Sequence, residues 1–402
     1  MGKKLLIIGN GFDLAHKLPT SYMDFLDFTR YFRRIFTCEY GEEPELLFFQ
    51  DLKSWNGHAE IKNKLECLFK TRKNEMDDES KRKYRYSLGD STLEHLNDYL
   101  TSNVWIDYFH KLCASEMMKG INWIDFESEI SQIIKWLDYS ESNMYVVNDD
   151  LIKKMIVGDT SDEKTRLFHS CIPKNKDVIG ITVEDLANYL YNDLERLTLA
   201  LNIYLSHFVE KVTAEPIDII KNINPDYVIS FNYTSTYQRV YGDKVPISYI
   251  HGQCGLSEKE SNMVLGIDEY LPRHECDSNT NYVIFKKFVQ RIRKRNSVEY
   301  QMWRDEIYND YLKYNSIINK SCNSDYFGYQ NPDIYVYGHS LDVTDKDILE
   351  LFLSPDYCKI HLFAKGKINE GRIISNLIKI ISEKSLIKKS TSNPSMLELC
   401  VI

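Results

Sequence analysis

The sequence predicts an α/β fold: a mostly parallel sheet interrupted by one large helical insertion. Short apolar runs rich in Ile, Val, Tyr and Phe gather near both ends of the chain and thin out in the middle. They are continuous rather than alternating, as strands buried on both faces of a parallel sheet are. The middle carries apolar residues at three and four spacing, the period of amphipathic helices. Almost every apolar run is followed at once by glycine or a polar residue. In an open, Rossmann-like sheet that is where ligands bind.

In chain order, LLIIG (5–9) reads as the first strand, and Gly-Asn-Gly ends it with a turn into a helix. From about 31 to 215 the segments NDYLTSNVWIDYFHKLCASEMM, WIDFESEISQIIKWLDY and VEDLANYLYNDLERLTLALNIYLSHFVEKV read as helices, with starts at Asp125 and Thr182. RKNEMDDESKRKYRYS (72–87) is densely charged and reads as an exposed loop. YVISF (227–231), ISYIH (247–251), MVLGI (263–267), IYVYG (334–338) and KIHLFA (359–364) then read as further strands. EGRIISNLIKIISEK gives a last helix before a polar stretch and a short apolar end. The predicted organisation is a Rossmann-like nucleotide-binding core of 1–30 plus 216–380, a helical insertion of 31–215 and a C-terminal tail of 381–402.

Bulk properties narrow the function classes. The formal charge of −9 argues against a general nucleic-acid surface. FKKFVQRIRKRN (285–296) is a local basic exception, expected to be the solvated face of a helix. Nine cysteines, an odd number with no CxxC pair, support neither a disulfide framework nor a zinc ribbon, and a reducing compartment suits them. The N-terminus lacks the pattern of a signal peptide, and no apolar run approaches a membrane span. The expectation is a soluble, cytoplasmic protein without a membrane partner.

The strand ends supply the candidate site. Gly9 and Gly11 let the backbone turn and let a phosphate approach bare N–H groups, although a tight turn alone would use them equally well. Asn10 tolerates the same geometry. Asp13 could contact a ribose hydroxyl or cap the following helix. Asn232 and His251 each end a probable strand, so neighbouring strands would set them side by side. An imidazole exchanges a proton near neutral pH, and an amide fixes a water or a sugar hydroxyl. Gly338, Ser340 and Leu341, in GHSLDVTDKD, offer backbone and hydroxyl contacts to a nucleotide, or an ordinary strand-to-helix turn. Asp125, Glu127 and Glu129 sit together near a helix start, where carboxylates favour the helix dipole.

These blocks resemble a known family. IGNGFDLAHKLPTSYMDF is similar to the opening of the AbiH proteins of bacterial abortive infection. WIDFESEI, SFNYTSTYQRVYG, YIHGQCG with LGID, and VYGHSLDVTDKDIL follow in that family's order. More distantly, the blocks resemble the sirtuin-like NAD-binding fold. That likeness implies a phosphate-binding turn at Gly9–Gly11, a motif asparagine at Asn232, a catalytic histidine at His251 and a nucleotide-binding block at Gly338, Ser340 and Leu341. Tyr233-Thr234-Ser235 stand where sirtuins carry an Asp, and the deacetylase zinc cysteines are missing. The implied activity is therefore hydrolysis of NAD, as a substrate and without a metal, rather than deacetylation. The implied partners are NAD or a related dinucleotide, a phage-derived trigger and a second copy of the chain. Two rivals are a metal-dependent nuclease or phosphoesterase using Asp13, His251 and Asp342, and a nucleotide-dependent sensor without turnover.

Overall fold

The computed structural model describes residues 2–37, 42–77, 91–121, 123–142, 162–173, 183–271, 278–296, 298–320 and 331–402. The chain forms two compact units. One comprises Met1–Leu18, Thr213–Gln253 and Arg295–Ile402, and the other Pro19–Val212 and Cys254–Lys294.

Among the described residues the first unit is built on six strands: β1 (Lys4–Ile8), β2 (Tyr227–Ser230), β3 (Ile247–Tyr249), β4 (Asp333–Tyr337), β5 (Lys359–Ala364) and β6 (Leu397–Val401). They lie in the order β3-β2-β1-β4-β5-β6, and every pairing is parallel. This is the doubly wound order of Rossmann sheets, whose direction of winding reverses between β1 and β4. The residues of KLLII explain its central place. Leu5 and Ile7 enter one apolar cluster while Leu6 and Ile8 enter the other, so the strand is buried on both faces. Register sets Ile7 between Ile229 of β2 and Val336 of β4.

Two strand readings differ from the structure. MVLGI (263–267) belongs to the second unit and forms no strand, only a single bridge from Ile267 to Lys286. Its side chains are buried, but side chains of the helix Lys287–Lys294 satisfy much of its backbone. Gln290 donates to the Leu265 carbonyl at 2.9 Å and Lys294 to that of Met263 at 2.6 Å. An apolar run reports burial and says nothing of which groups satisfy its carbonyls. Conversely, the segment read as a tail carries the helix Glu383–Thr391 and edge strand β6. LELCV is half-exposed there, with Glu398 accepting from Lys359 at 3.1 Å, so it lacks the all-apolar mark of a central strand.

The second unit is helical and aromatic. It begins at Pro19, earlier than position 31, because Phe25 and Phe28 of the helix Tyr22–Thr37 pack with Tyr204 and Phe208 of that unit. Asp125 caps the helix Phe126–Ser142 through the N–H groups of Glu127 and Ser128, as its position predicts. Thr182 and residues 78–87 of the charged loop lie outside the described residues. The basic run is solvated only in part, at Arg293 and Arg295. Lys286 and Lys287 are buried and pair with Glu269 at 2.7 Å and Glu127 at 2.8 Å, and Lys294 pairs with Glu195 at 3.0 Å. Phe288 and Ile292 of the same helix are exposed instead. Those lysines are therefore structural partners of acids in this unit. No described helix is long and apolar enough to cross a membrane.

Candidate active site

The carboxyl ends of β1, β2, β3 and β4 converge at the point where the winding reverses, and the glycines decide how closely. Gly11 donates its N–H to the Gly338 carbonyl at 2.8 Å, and Gly9 donates to Tyr337 at 3.4 Å. Phe12 N–H closes back onto the Gly9 carbonyl at 2.8 Å. Gly338 sits at φ +68°, and a Cβ there would lie 2.1 Å from the Phe12 nitrogen. A Cβ on Gly11 would lie 2.8 Å from the Gly338 carbonyl oxygen, and one on Gly9 2.8 Å from the His339 ring. The turns after β1 and β4 are thus pressed backbone against backbone. The amide groups of Gly9 and Gly11, expected in a phosphate-binding turn, donate within the protein. The following helix, Asn10–Ala15, is only six residues long. Leu341, expected in a nucleotide contact, has its side chain in the apolar core. Ser340 is exposed, and its carbonyl accepts from Asn376.

This packing places His339 against Phe231, after β2, and beside Asp345. His251, Asp345 and His339 are all buried, and the Asp345 carboxylate lies between the two imidazoles. His251 Nε2 is 3.0 Å from Asp345 Oδ1, and His339 Nε2 is 3.6 Å from Oδ2. The Leu341 N–H donates to His339 Nδ1 at 2.9 Å, which puts that ring's proton on Nε2, facing the carboxylate. Leu341 holds the required φ of +55°. Phe231, at the end of β2, presents its ring edge-on to both imidazoles, with centroids 5.5 and 4.4 Å away. With Nε2–H donated to Asp345, the lone pair of His251 is on Nδ1.

Asp345 was missed in the sequence reading, which placed Asp342 in the rival site. The two sit three residues apart in LDVTD, and only one can cap the turn. Asp342 does so, accepting from the Thr344 N–H at 3.1 Å. Asp345 occupies the start of the helix Lys346–Leu353 without making a side-chain cap bond, its carboxylate being turned to the histidines. An acid at a helix start that does not cap is the signal that the string of residues conceals.

A second polar group centres on Asp13, which is 1% exposed. Its Oδ2 accepts from the Thr234 hydroxyl at 2.6 Å, and Thr234 is in turn 2.9 Å from the Thr236 hydroxyl. Burial pushes the Asp13 carboxyl up to about 6, against the opposing pull of Thr234, Thr236 and the Asn232 amide. Asn232 is buried beside Phe231. Asp13 Oδ1 and Asn232 Nδ2 are both buried, and the Asn232 amide acts on the Asp13 carboxyl. The structure therefore gathers Asn232 with Asp13, and His251 with Asp345 and His339. The adjacent residues Phe231 and Asn232 link the two groups.

The family model described as bacteriophage abortive infection AbiH matches residues 5–360, a span that contains every residue of both groups. The chain belongs to the AbiH family. No curated protein and no solved structure matches it. The sirtuin likeness thus rests on motifs alone, whereas AbiH membership carries a role in phage abortive infection.

The buried carboxyl of this AbiH chain has a consequence for stability. A folded-state pKa near 6, above the ordinary 3.8, favours folding below about pH 4, and that contribution is lost as pH rises through 6. At pH 7 the ionised Asp13 opposes folding by roughly 3 kcal/mol. Asp13→Asn is accordingly expected to melt higher than wild type at pH 7–8, the gap closing towards pH 4. Thermal melts across that range check this, and a lower melting temperature at every pH would contradict it.

Proposed function

We propose that this AbiH protein is an abortive-infection effector that hydrolyses NAD to nicotinamide and ADP-ribose once phage infection triggers it. The single observation that carries the reading is the buried Asp345–His251 hydrogen bond at the carboxyl ends of a Rossmann-ordered parallel sheet. A carboxylate that holds an imidazole by one nitrogen fixes its tautomer and favours its protonation, the arrangement a general base needs. In the proposed step, water attacks C1′ of the nicotinamide ribose and gives a proton to His251. The C1′–N bond breaks with its electron pair passing to the pyridinium nitrogen, so neutral nicotinamide leaves. The charge that develops on the ribose is oxocarbenium-like, and an ionised Asp13 nearby would stabilise it.

The test is the NAD content of phage-infected cells carrying wild type or His251→Ala at equal protein level. Wild type is expected to lose NAD as nicotinamide and ADP-ribose appear, while His251→Ala keeps its NAD and loses protection. Unchanged NAD in cells that wild type still protects would reject this chemistry. If a chelator then removed a phosphodiesterase or nuclease activity of the purified protein, the metal-dependent reading would replace it. That reading gains little from the geometry, since Asp342 caps a turn.

A further inference from the structure

We infer that β6 is a dimerisation edge, which pairs antiparallel with β6 of a second copy of this chain about a twofold axis at Cys400 and joins their sheets into one. The inference is independent of the chemistry proposed above. β6 ends the strand order, and among the described residues no strand lies beyond it. The Met396 carbonyl accepts from the Ile360 N–H and the Ile402 N–H donates to the Ala364 carbonyl, each at 2.9 Å, so the even-numbered residues bond to β5. Leu397, Leu399 and Val401 therefore point their N–H and C=O groups outward. Leu397 is guarded: the Ser395 hydroxyl accepts from its N–H at 3.3 Å and donates to its carbonyl at 2.8 Å. No described residue does the same for Leu399 or Val401.

Edge strands are ordinarily blunted by charge, proline or a bulge. Leu397–Val401 holds no proline, and its register with β5 runs without a bulge. Its one charge, Glu398, is drawn to β5, where Lys359 and His361 each hold it at 3.1 Å. Leu399 is 38% exposed and Val401 54%, which leaves apolar side chains beside the bare backbone. A second copy suits this edge because the edge complements itself. With Cys400 on the twofold axis, Leu399 of each copy exchanges both backbone bonds with Val401 of the other, and those side chains meet on one face. Glu398 then opposes Ile402 rather than another Glu398, so no like charges face each other across the axis. An axis at Leu399 would instead call on the backbone of Leu397, which Ser395 already occupies. The overlap is short, and small interfaces of this kind are transient rather than obligate. The dimer therefore forms and parts with concentration.

The experiment is sedimentation velocity of the full chain over a wide range of concentration, together with thiol cross-linking. Opposed residues at a non-hydrogen-bonded antiparallel position have Cα atoms about 4.5 Å apart, within the reach of a disulfide. Oxidation with diamide is therefore expected to join two chains through Cys400, identified by peptide mapping, and Cys400→Ser should lose the product. Val401→Lys sets a charge against Leu399 of the other copy and should raise the dissociation constant about tenfold. Adding Leu399→Glu should restore the dimer, since the introduced charges then oppose one another across the axis. Melting curves show that each variant is folded, and the Cys400 link, read on the unaltered chain, decides even where a variant is not. A monomer at every concentration would overturn the inference. A dimer that links through other cysteines and not Cys400, or that a folded Val401→Lys leaves unchanged, would overturn it too, because the contact would lie elsewhere. If Val401→Lys breaks the dimer and Leu399→Glu fails to restore it, the antiparallel register is wrong.

Discussion

Asp345→Asn is expected to abolish phage protection while leaving the protein folded, with the rate of NAD cleavage falling by about 10²–10⁴-fold. The substitution keeps the shape of the side chain and removes its charge. Asp345 Oδ1 now receives the Nε2–H of His251 from 3.0 Å. An asparagine has one carbonyl oxygen and one NH₂ group to divide between two imidazoles. If its oxygen faces His251, its NH₂ faces His339 Nε2, which must then give up its proton. The Leu341 N–H already occupies Nδ1 of that ring, so the proton has nowhere to go. If the amide turns round, His251 is driven to the tautomer that carries its proton on Nδ1, and the base is lost. Either way the charge that would favour a protonated His251 is gone. Residues that act as a unit do not lose activity additively. The double variant Asp345→Asn/His251→Ala should therefore be no worse than His251→Ala. Plaque counts, NAD measurement and circular dichroism on the three proteins make the comparison. Full protection by a folded Asp345→Asn would remove Asp345 from the working machinery and leave it a structural partner.

How far this site could be read in the sequence depends on the distance over which each residue acts. Strand ends were legible, because β1, β2, β3, β4 and β5 are short apolar runs closed by polar residues, and Asn232 and His251 stand at such ends. The parallel sheet was legible for the same reason: KLLII has no polar face to turn to water. What failed was partnership. Asp342 and Asp345 look alike in LDVTD, and only the folded structure, with β3 and β4 on either side of β2 and β1, shows that Asp345 meets His251. The lysines of FKKFVQRIRKRN read as solvated because a charge run usually is. Their acids, Glu127, Glu195 and Glu269, lie far off in the chain and become visible only in the fold. β6 was lost because an edge strand need not be apolar on both faces, and MVLGI was misread because burial alone does not make a strand. Leu341, read from its motif position as a nucleotide contact, has its side chain in the core, and its backbone N–H orients His339.

The glycines carry the second large effect, and it is on folding. Gly338→Ala is expected to destabilise the protein by more than about 3 kcal/mol, combining two costs. A left-handed φ of +68° strains any residue with a Cβ by roughly 1–2 kcal/mol. The added carbon would also lie 2.1 Å from the Phe12 nitrogen and 2.4 Å from the Gly11 carbonyl carbon. Those are backbone atoms of the turn after the central strand, held by the Gly11 N–H bond to Gly338 and by parallel pairing on both sides of β1. They cannot swing aside as a side-chain tip would, so the turns must part. Two other glycines separate the contributions. Gly242 has φ +99° with nothing within 4 Å of a built Cβ, so Gly242→Ala should show the backbone strain alone. Gly371 lies inside the helix Gly366–Ile381, with open space and no left-handed angle. Gly371→Ala should therefore be neutral or stabilise by up to about 1 kcal/mol. Denaturant unfolding of the three variants should rank Gly338→Ala far below Gly242→Ala, and Gly242→Ala below Gly371→Ala. If Gly338→Ala matched Gly242→Ala, the two turns would have room between them. Gly9-Asn10-Gly11 would then regain its reading as a cradle for phosphate. If the ranking holds, the glycines after β1 and β4 serve close approach, and what they bring together is the His339–Asp345–His251 group.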